Sequence, residues 1–404
     1  MVRDITESDP GRSGRGRRAA LIAAAAVVSV ILVLVQQRLA VNRTPPPTAA
    51  PTLPRSAGLL AMDVRDYGDG WLATGANSQT PARLWRTVDG GKTWTAALSL
   101  QGTTGDLERV HFFDLRRGYA LVLTPAFDLN ANTLMVTSDA GQAWDWFDFP
   151  KPQGMVLADF YLSPRGDGRA LFSAGANGDF GRLAAALYTT NDGISWSLAA
   201  RVDAEHSGSS GLSLDGSKGP MLFTDAAHGI IVSQLDARSL GAYSTADGGS
   251  TWTLHVLPPF SSGYETIGPA DVHIALVDGE LLLGVVFLGA SVPRGAIVYR
   301  SLDGGLSWSQ PIEVPTSDGV AAPVFAGSSV WWIPDARAVE VTTDGGGTWI
   351  RADLHLPPST RVKAVYPIDD RRAWVFAGDS FGAPTLLYET TDGGETWSVR
   401  KPPA

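Results

Sequence analysis

The chain has 404 residues, with 32 Lys/Arg against 41 Asp/Glu, a net charge of −9, and no cysteine. The acid excess argues against a nucleic-acid partner, and the missing cysteine excludes a disulfide framework, a thiol nucleophile, a Cys-ligated metal and a lipid-bearing Cys. Forty-five Gly and 26 Pro in a 44% apolar chain suit many short strands joined by turns.

Residues 1–18 are polar, with Arg3, Arg12, Arg15, Arg17 and Arg18 against Asp4, Glu7 and Asp9. Ala19 to Val35 is apolar except for Ser29, and Gln36, Gln37 and Arg38 end the run. This reads as a transmembrane helix over 19–37, with 1–18 as a cytoplasmic tail. A cleaved signal is the rival reading, but no small-x-small site follows closely. Arg17-Arg18 resembles a twin-arginine signal, with Ala20 a poor match for the apolar residue expected there. Residues 38–57 hold Pro45, Pro46, Pro47, Pro51 and Pro54 among threonines and read as an extended linker. The first 58 residues carry 8 Lys/Arg and 3 Asp/Glu of the chain's 32 and 41, so the remainder has a net charge of −14.

From residue 58 to the C-terminus one pattern recurs seven times: Ser/Thr-x-Asp-x-Gly-x-x-Trp. The copies run from Thr87 to Trp94, Thr137 to Trp144, Thr189 to Trp196, Thr245 to Trp252, Ser301 to Trp308, Thr342 to Trp349 and Thr390 to Trp397. The acidic position is filled by Asp89, Asp139, Asp247, Asp303, Asp344 and Asp392, and by Asn191 in the third copy. The tryptophans lie 50, 52, 56, 56, 41 and 48 residues apart, which indicates a repeat architecture. An Asp or Asn oxygen accepts backbone N–H groups further along a turn, and the Gly supplies positive φ. A short apolar run precedes each copy, so each reads as a hairpin turn with Trp on the return strand, Trp308 being expected to be largely buried.

The pattern resembles the Asp-box, or BNR repeat, of sialidases, sortilin-type receptors and the photosystem II stability/assembly factor group. The resemblance implies that the box is structural, on the rim of a β-propeller blade and remote from the binding face. A second signal precedes most boxes: Asp66 to Trp71, Asp114 to Tyr119, Asp225 to Ile230 and Asp369 to Trp374 read as turns between two earlier strands. Weaker versions surround Pro164, Asp278 and Gly327. Four strands per unit, seven times, gives an all-β, seven-bladed propeller over residues 58–404. Whether residues before Leu59 lock the ring stays open.

No catalytic, metal or cofactor motif stands out. His111, His206, His228, His255, His273 and His355 lack metal-ligand spacing. A sialidase-like glycoside hydrolase or a carbohydrate-binding propeller is the alternative, but the Arg-Ile-Pro signature of sialidases is missing and they have six blades. The assembly-factor resemblance implies a non-catalytic scaffold outside the cytoplasmic membrane, binding a membrane protein or cell-envelope component. Arg182, Arg238 and Arg294 each stand seven residues before a box. With Phe127, Phe180, Phe287 and Phe381 they are expected to form a partner-binding arc on the face opposite the boxes.

Overall fold

The computed structural model describes residues 58–403 apart from 66–67, 77–80, 101–105, 124–131, 175–182, 207, 237–238, 261–265, 289–294, 315–320 and 380–383. The expected tail, membrane span and linker lie outside the described residues. Among those residues there is no helix; 28 strands form seven four-stranded antiparallel sheets. Each sheet takes four consecutive strands, a to d, so the protein is a seven-bladed β-propeller. The blades span residues 59–99, 106–148, 156–202, 217–256, 266–314, 324–353 and 360–400.

Side-chain alternation along the strands builds the ring. In strand b of blade 5 (Glu280–Leu288), Leu281, Leu283 and Val285 join the core shared with blade 4, while Leu282 and Val286 join that shared with blade 6. The described residues form seven apolar clusters, one at each blade interface. Each fully buried Leu, Ile or Val contributes roughly 1.5–3 kcal/mol. The ring closes by the same packing: Leu59, Met62, Leu72 and Trp85 of blade 1 meet Trp374, Phe376 and Leu387 of blade 7. Among the described residues, all four strands of blade 7 come from residues 360–400. The Leu59 N–H donates to the Pro384 carbonyl across the seam (2.7 Å).

The strand order puts the a–b and c–d turns on one face of the ring, here the turn face, and the b–c and d–a loops on the other, the loop face. Register irregularities break the a–b ladders of blades 1, 2, 3, 4, 5 and 7, letting the inner strands bend around the axis. The expected a–b turns are present, and blade 5 uses a tighter version. Asp278 (φ 53°) and Gly279 (φ 81°) form a two-residue hairpin there.

The connection from blade 3 to blade 4 is a wedge. Leu212 and Leu214 are buried between the two blades. The Ser210 carbonyl accepts the Trp252 N–H (2.8 Å), and the Leu214 carbonyl accepts the Leu183 N–H (2.7 Å). Lys218, fully buried, pins the end of the wedge by donating from Nζ to the Asp215 and Gly216 carbonyls, both at 2.7 Å.

Candidate functional site

The repeated turns share one hydrogen-bond scheme. In blade 5 the Ser301 hydroxyl donates to Asp303 Oδ1 (2.9 Å) and accepts the Gly305 N–H (2.8 Å). Asp303 also accepts the Ser307 N–H (2.9 Å) and the Ser307 hydroxyl (2.5 Å). These bonds favour the charged carboxylate. Asp89, Asp192, Asp303, Asp344 and Asp392 are all held at about 2, chiefly by the residue before the Trp. In five blades the turn's fourth residue donates its N–H to a carbonyl of the a–b turn, as Gly393 does to Arg371 (2.7 Å). The fifth-position Gly is required twice over. Gly305 has φ of 90°, and a Cβ there would lie 2.4 Å from Ile230 of the preceding blade. At the seam a Cβ on Gly91 would lie 2.2 Å from Trp374.

Two expectations about these turns need correction. In blade 3 Asn191 is not the acceptor. Asp192 accepts the Thr190 hydroxyl and the Ile194 and Ser195 N–H groups, at 2.9, 2.8 and 2.7 Å. The turn therefore begins at Thr190, not Thr189, and is one residue shorter than the others: the Gly193 N–H reaches the Thr190 hydroxyl three residues back, where Gly249 reaches Thr245 four back. The tryptophans are also less buried than expected. Trp252 is buried, but Trp94, Trp144, Trp196, Trp308, Trp349 and Trp397 are half-buried, because each opens the outermost strand. Trp308 packs on the blade 4–5 core from its rim.

Arg182, Arg238, Arg294, Phe127, Phe180 and Phe381 lie outside the described residues. Phe287 belongs to strand b of blade 5, its backbone paired with Ile267 and Gly295. The matched spacing holds only for Arg238 and Arg294: with the blade 3 turn starting at Thr190, Arg182 stands eight residues before it, not seven.

Around the axis, polar side chains of the inner strands stitch blade to blade. Asp63 of blade 1 accepts the Phe112 N–H of blade 2 (2.6 Å). Arg109 of blade 2 donates to Asp159 of blade 3 (2.8 Å), which also accepts the Phe160 N–H and the Met221 N–H of blade 4, both at 2.8 Å. His273 of blade 5 donates from Nδ1 to the Pro323 carbonyl of blade 6 (3.0 Å) and stacks on Phe325, and its desolvation lowers its pKa. Asp159 is thus occupied by three donors, which suits a structural joint better than a free catalytic acid. His228 is a turn residue whose N–H is taken by Asp225 (2.7 Å). Among the described residues no group of three His, Asp or Glu could hold a metal ion.

Sequence reasoning missed a cleft of about 280 Å³ on the turn face between blades 2 and 3. Phe113, Val136, Phe147 and Leu162 form its apolar lining, and Arg165 and Asp145 stand at its rim. Arg117 also borders it, held by Asp114 (2.8 Å) and the Pro164 carbonyl (3.2 Å).

No protein-family profile matches the chain, and no curated protein matches it. Solved structures do. YCF48 bound to a D1 peptide aligns with a TM-score of 0.55 at 16% identity, over 87% of this chain and 99% of that one. YCF48 from Cyanidioschyzon merolae aligns at 0.50 and 18%, over 84% and 97%. A puromycin hydrolase mutant aligns at 0.53 and 13%, over 89% of this chain but 57% of its own. At these identities the likeness is one of fold.

Proposed function

We propose that this chain is a non-catalytic binding scaffold: an Asp-box (BNR-type) propeller held outside the cytoplasmic membrane by a helix over 19–37 and the linker 38–57. Its partner is a membrane protein or cell-envelope component. The observation that carries the reading is the likeness to YCF48, which spans nearly that whole protein and includes a complex with a peptide. The occupied state of the turn carboxylates and of Asp159 supports it. Each turn Asp is bound within its own turn, and Asp159 serves as an interblade joint. The lipid-facing assignment rests on the Ala19–Val35 run and the arginines before it.

The binding face in this reading is the loop face, through Arg182, Arg238 and Arg294 with Phe127, Phe180, Phe287 and Phe381. Arginine beside aromatic side chains suits a polypeptide carrying carboxylates. Changing the three arginines to Ala in the full-length protein is expected to keep its melting temperature and weaken partner capture, as raised salt does for the wild type. Capture unchanged in the triple variant removes this face from the account.

A further inference from the structure

The turn-face gap between blades 3 and 4 is plugged by the chain itself. Arg169, 7% exposed, is the second residue of strand b (Gly168–Ser173) and reaches into blade 4. Its Nε donates to the Gly248 carbonyl (2.9 Å), its Nη2 to the Ala226 carbonyl (2.7 Å), and its guanidinium lies 5.0 Å over the Phe223 ring.

The gap between blades 2 and 3 is built from the same positions without the plug. The second residue of strand b (Gly118–Leu123) is Tyr119 there, opposite His111 as Arg169 is opposite Tyr161. Leu162 stands where Phe223 does, each opposite the first residue of its strand b. Arg165 stands where Ala226 does, because Ser163 bonds Asp167 as Thr224 bonds His228. In this shorter turn the Asp192 carboxylate fills the role of Asp247, and its carbonyl, immediately before the Gly that bonds the turn hydroxyl, corresponds to that of Gly248. Leu162, Arg165 and Asp192 all line the open cleft. No donor among the described residues reaches the Arg165 or Asp192 carbonyl. The shortened blade 3 turn and the absent guanidinium together leave the space.

We propose that this cleft receives an arginine side chain from a partner polypeptide, supplying in trans what Arg169 supplies in cis. The backbone carbonyls of Arg165 and Asp192 would accept its N–H groups, as those of Ala226 and Gly248 accept those of Arg169. Phe113 and Phe147 line the space that the guanidinium would enter. Asp145, exposed at the rim and without an ion-pair partner among the described residues, supplies a counter-charge, and the propeller's net charge of −14 favours approach of a basic segment. Arg117 is paired with Asp114, which leaves the exposed Arg165 as the cation at the rim that Asp145 offsets. The proposal goes beyond the scaffold reading: it adds a second contact, for a basic side chain, on the face opposite the arginine arc.

The test is a titration of the propeller with acetyl-arginine-amide, followed by methyl NMR of Val136, Leu162 and Ile194, with acetyl-norleucine-amide as the uncharged control. A saturable shift of these methyls by the arginine probe alone is expected. It should weaken at least ten-fold in Asp145→Arg, a surface change that keeps the fold, and vanish in Val136→Trp, which fills the cleft. No saturable shift, an equal response to norleucine amide, or undiminished binding in Asp145→Arg would overturn the proposal. Because the probe assay involves no partner capture, its failure leaves the scaffold reading standing.

Discussion

Replacing Arg169 by Met keeps the aliphatic stem and removes the guanidinium, so it isolates what the plug contributes between blades 3 and 4. Two of its bonds cross the interface, to the Gly248 and Ala226 carbonyls. A hydrogen bond from a charged donor contributes about 1.5–3 kcal/mol, so the pair amounts to ~3–6 kcal/mol before costs. Burial opposes this: it disfavours the charged guanidinium and lowers the Arg169 pKa, and the third bond, to the Gly168 carbonyl, stays within its own blade. Ala226 is exposed, so water can replace the donor there. A net loss of about 2–3 kcal/mol is expected on these grounds. Urea unfolding monitored by tryptophan fluorescence measures it as a lowered midpoint at unchanged slope. Hydrogen exchange should locate the effect, with the N–H of Gly248 and its neighbours losing protection before those of blade 6. A loss below about 0.5 kcal/mol, the level of an ordinary surface change, would mean that Arg169 is a bystander and would take away the comparison on which the open cleft was interpreted.

Two other outcomes follow from the same geometry. Burial lowers the Lys218 pKa from 10.5 to about 8, Asp215 opposing in part, so the folded protein releases this proton first and the unfolded chain binds more protons between those values. Stability should therefore rise from pH 8 toward 10.5 by up to ~3 kcal/mol, the penalty being fully present below pH 8, and the neutral amine can still donate to both carbonyls. Lys218→Met should abolish this rise in urea midpoints measured across that range, and an identical profile for the variant would refute the assignment. In the blade 3 turn, Asp192→Ala should lower the melting temperature clearly while Asn191→Ala leaves it within error; the reverse order would restore the longer alignment of that turn.

The seven blades could be read from the sequence because Asp, Gly and Trp each answer a local need: a turn acceptor, a positive φ with close approach to the next blade, and a large side chain at the start of the outer strand. What failed was register where two solutions compete. Thr189 and Thr190 both offer a hydroxyl, and Asn191 and Asp192 both offer an acceptor, so a fixed eight-residue pattern chose the wrong pair. A usable signal was present. Tyr243, Tyr299 and Tyr388 each stand two residues before the turn's Ser/Thr, and Tyr188 does the same only if the turn starts at Thr190. The wedge between blades 3 and 4 is rich in Ser and Gly and gives no apolar period, although Leu212 and Leu214 bury themselves there. The cleft was invisible for a different reason: it depends on Tyr119 standing where Arg169 stands one blade later, a comparison that needs the strand register.

The most direct measurement for the account as a whole is capture from membranes. The full-length protein, tagged at its C-terminus, is purified from detergent-solubilised membranes after an alkaline wash, and what accompanies it is identified by mass spectrometry. The account predicts that the protein stays with the washed membranes and brings down one polypeptide in near-equal amount, equally in wild type and Asp303→Asn. Recovery only as a soluble, N-terminally trimmed form with no polypeptide, together with glycan hydrolysis that Asp303→Asn abolishes, would contradict it.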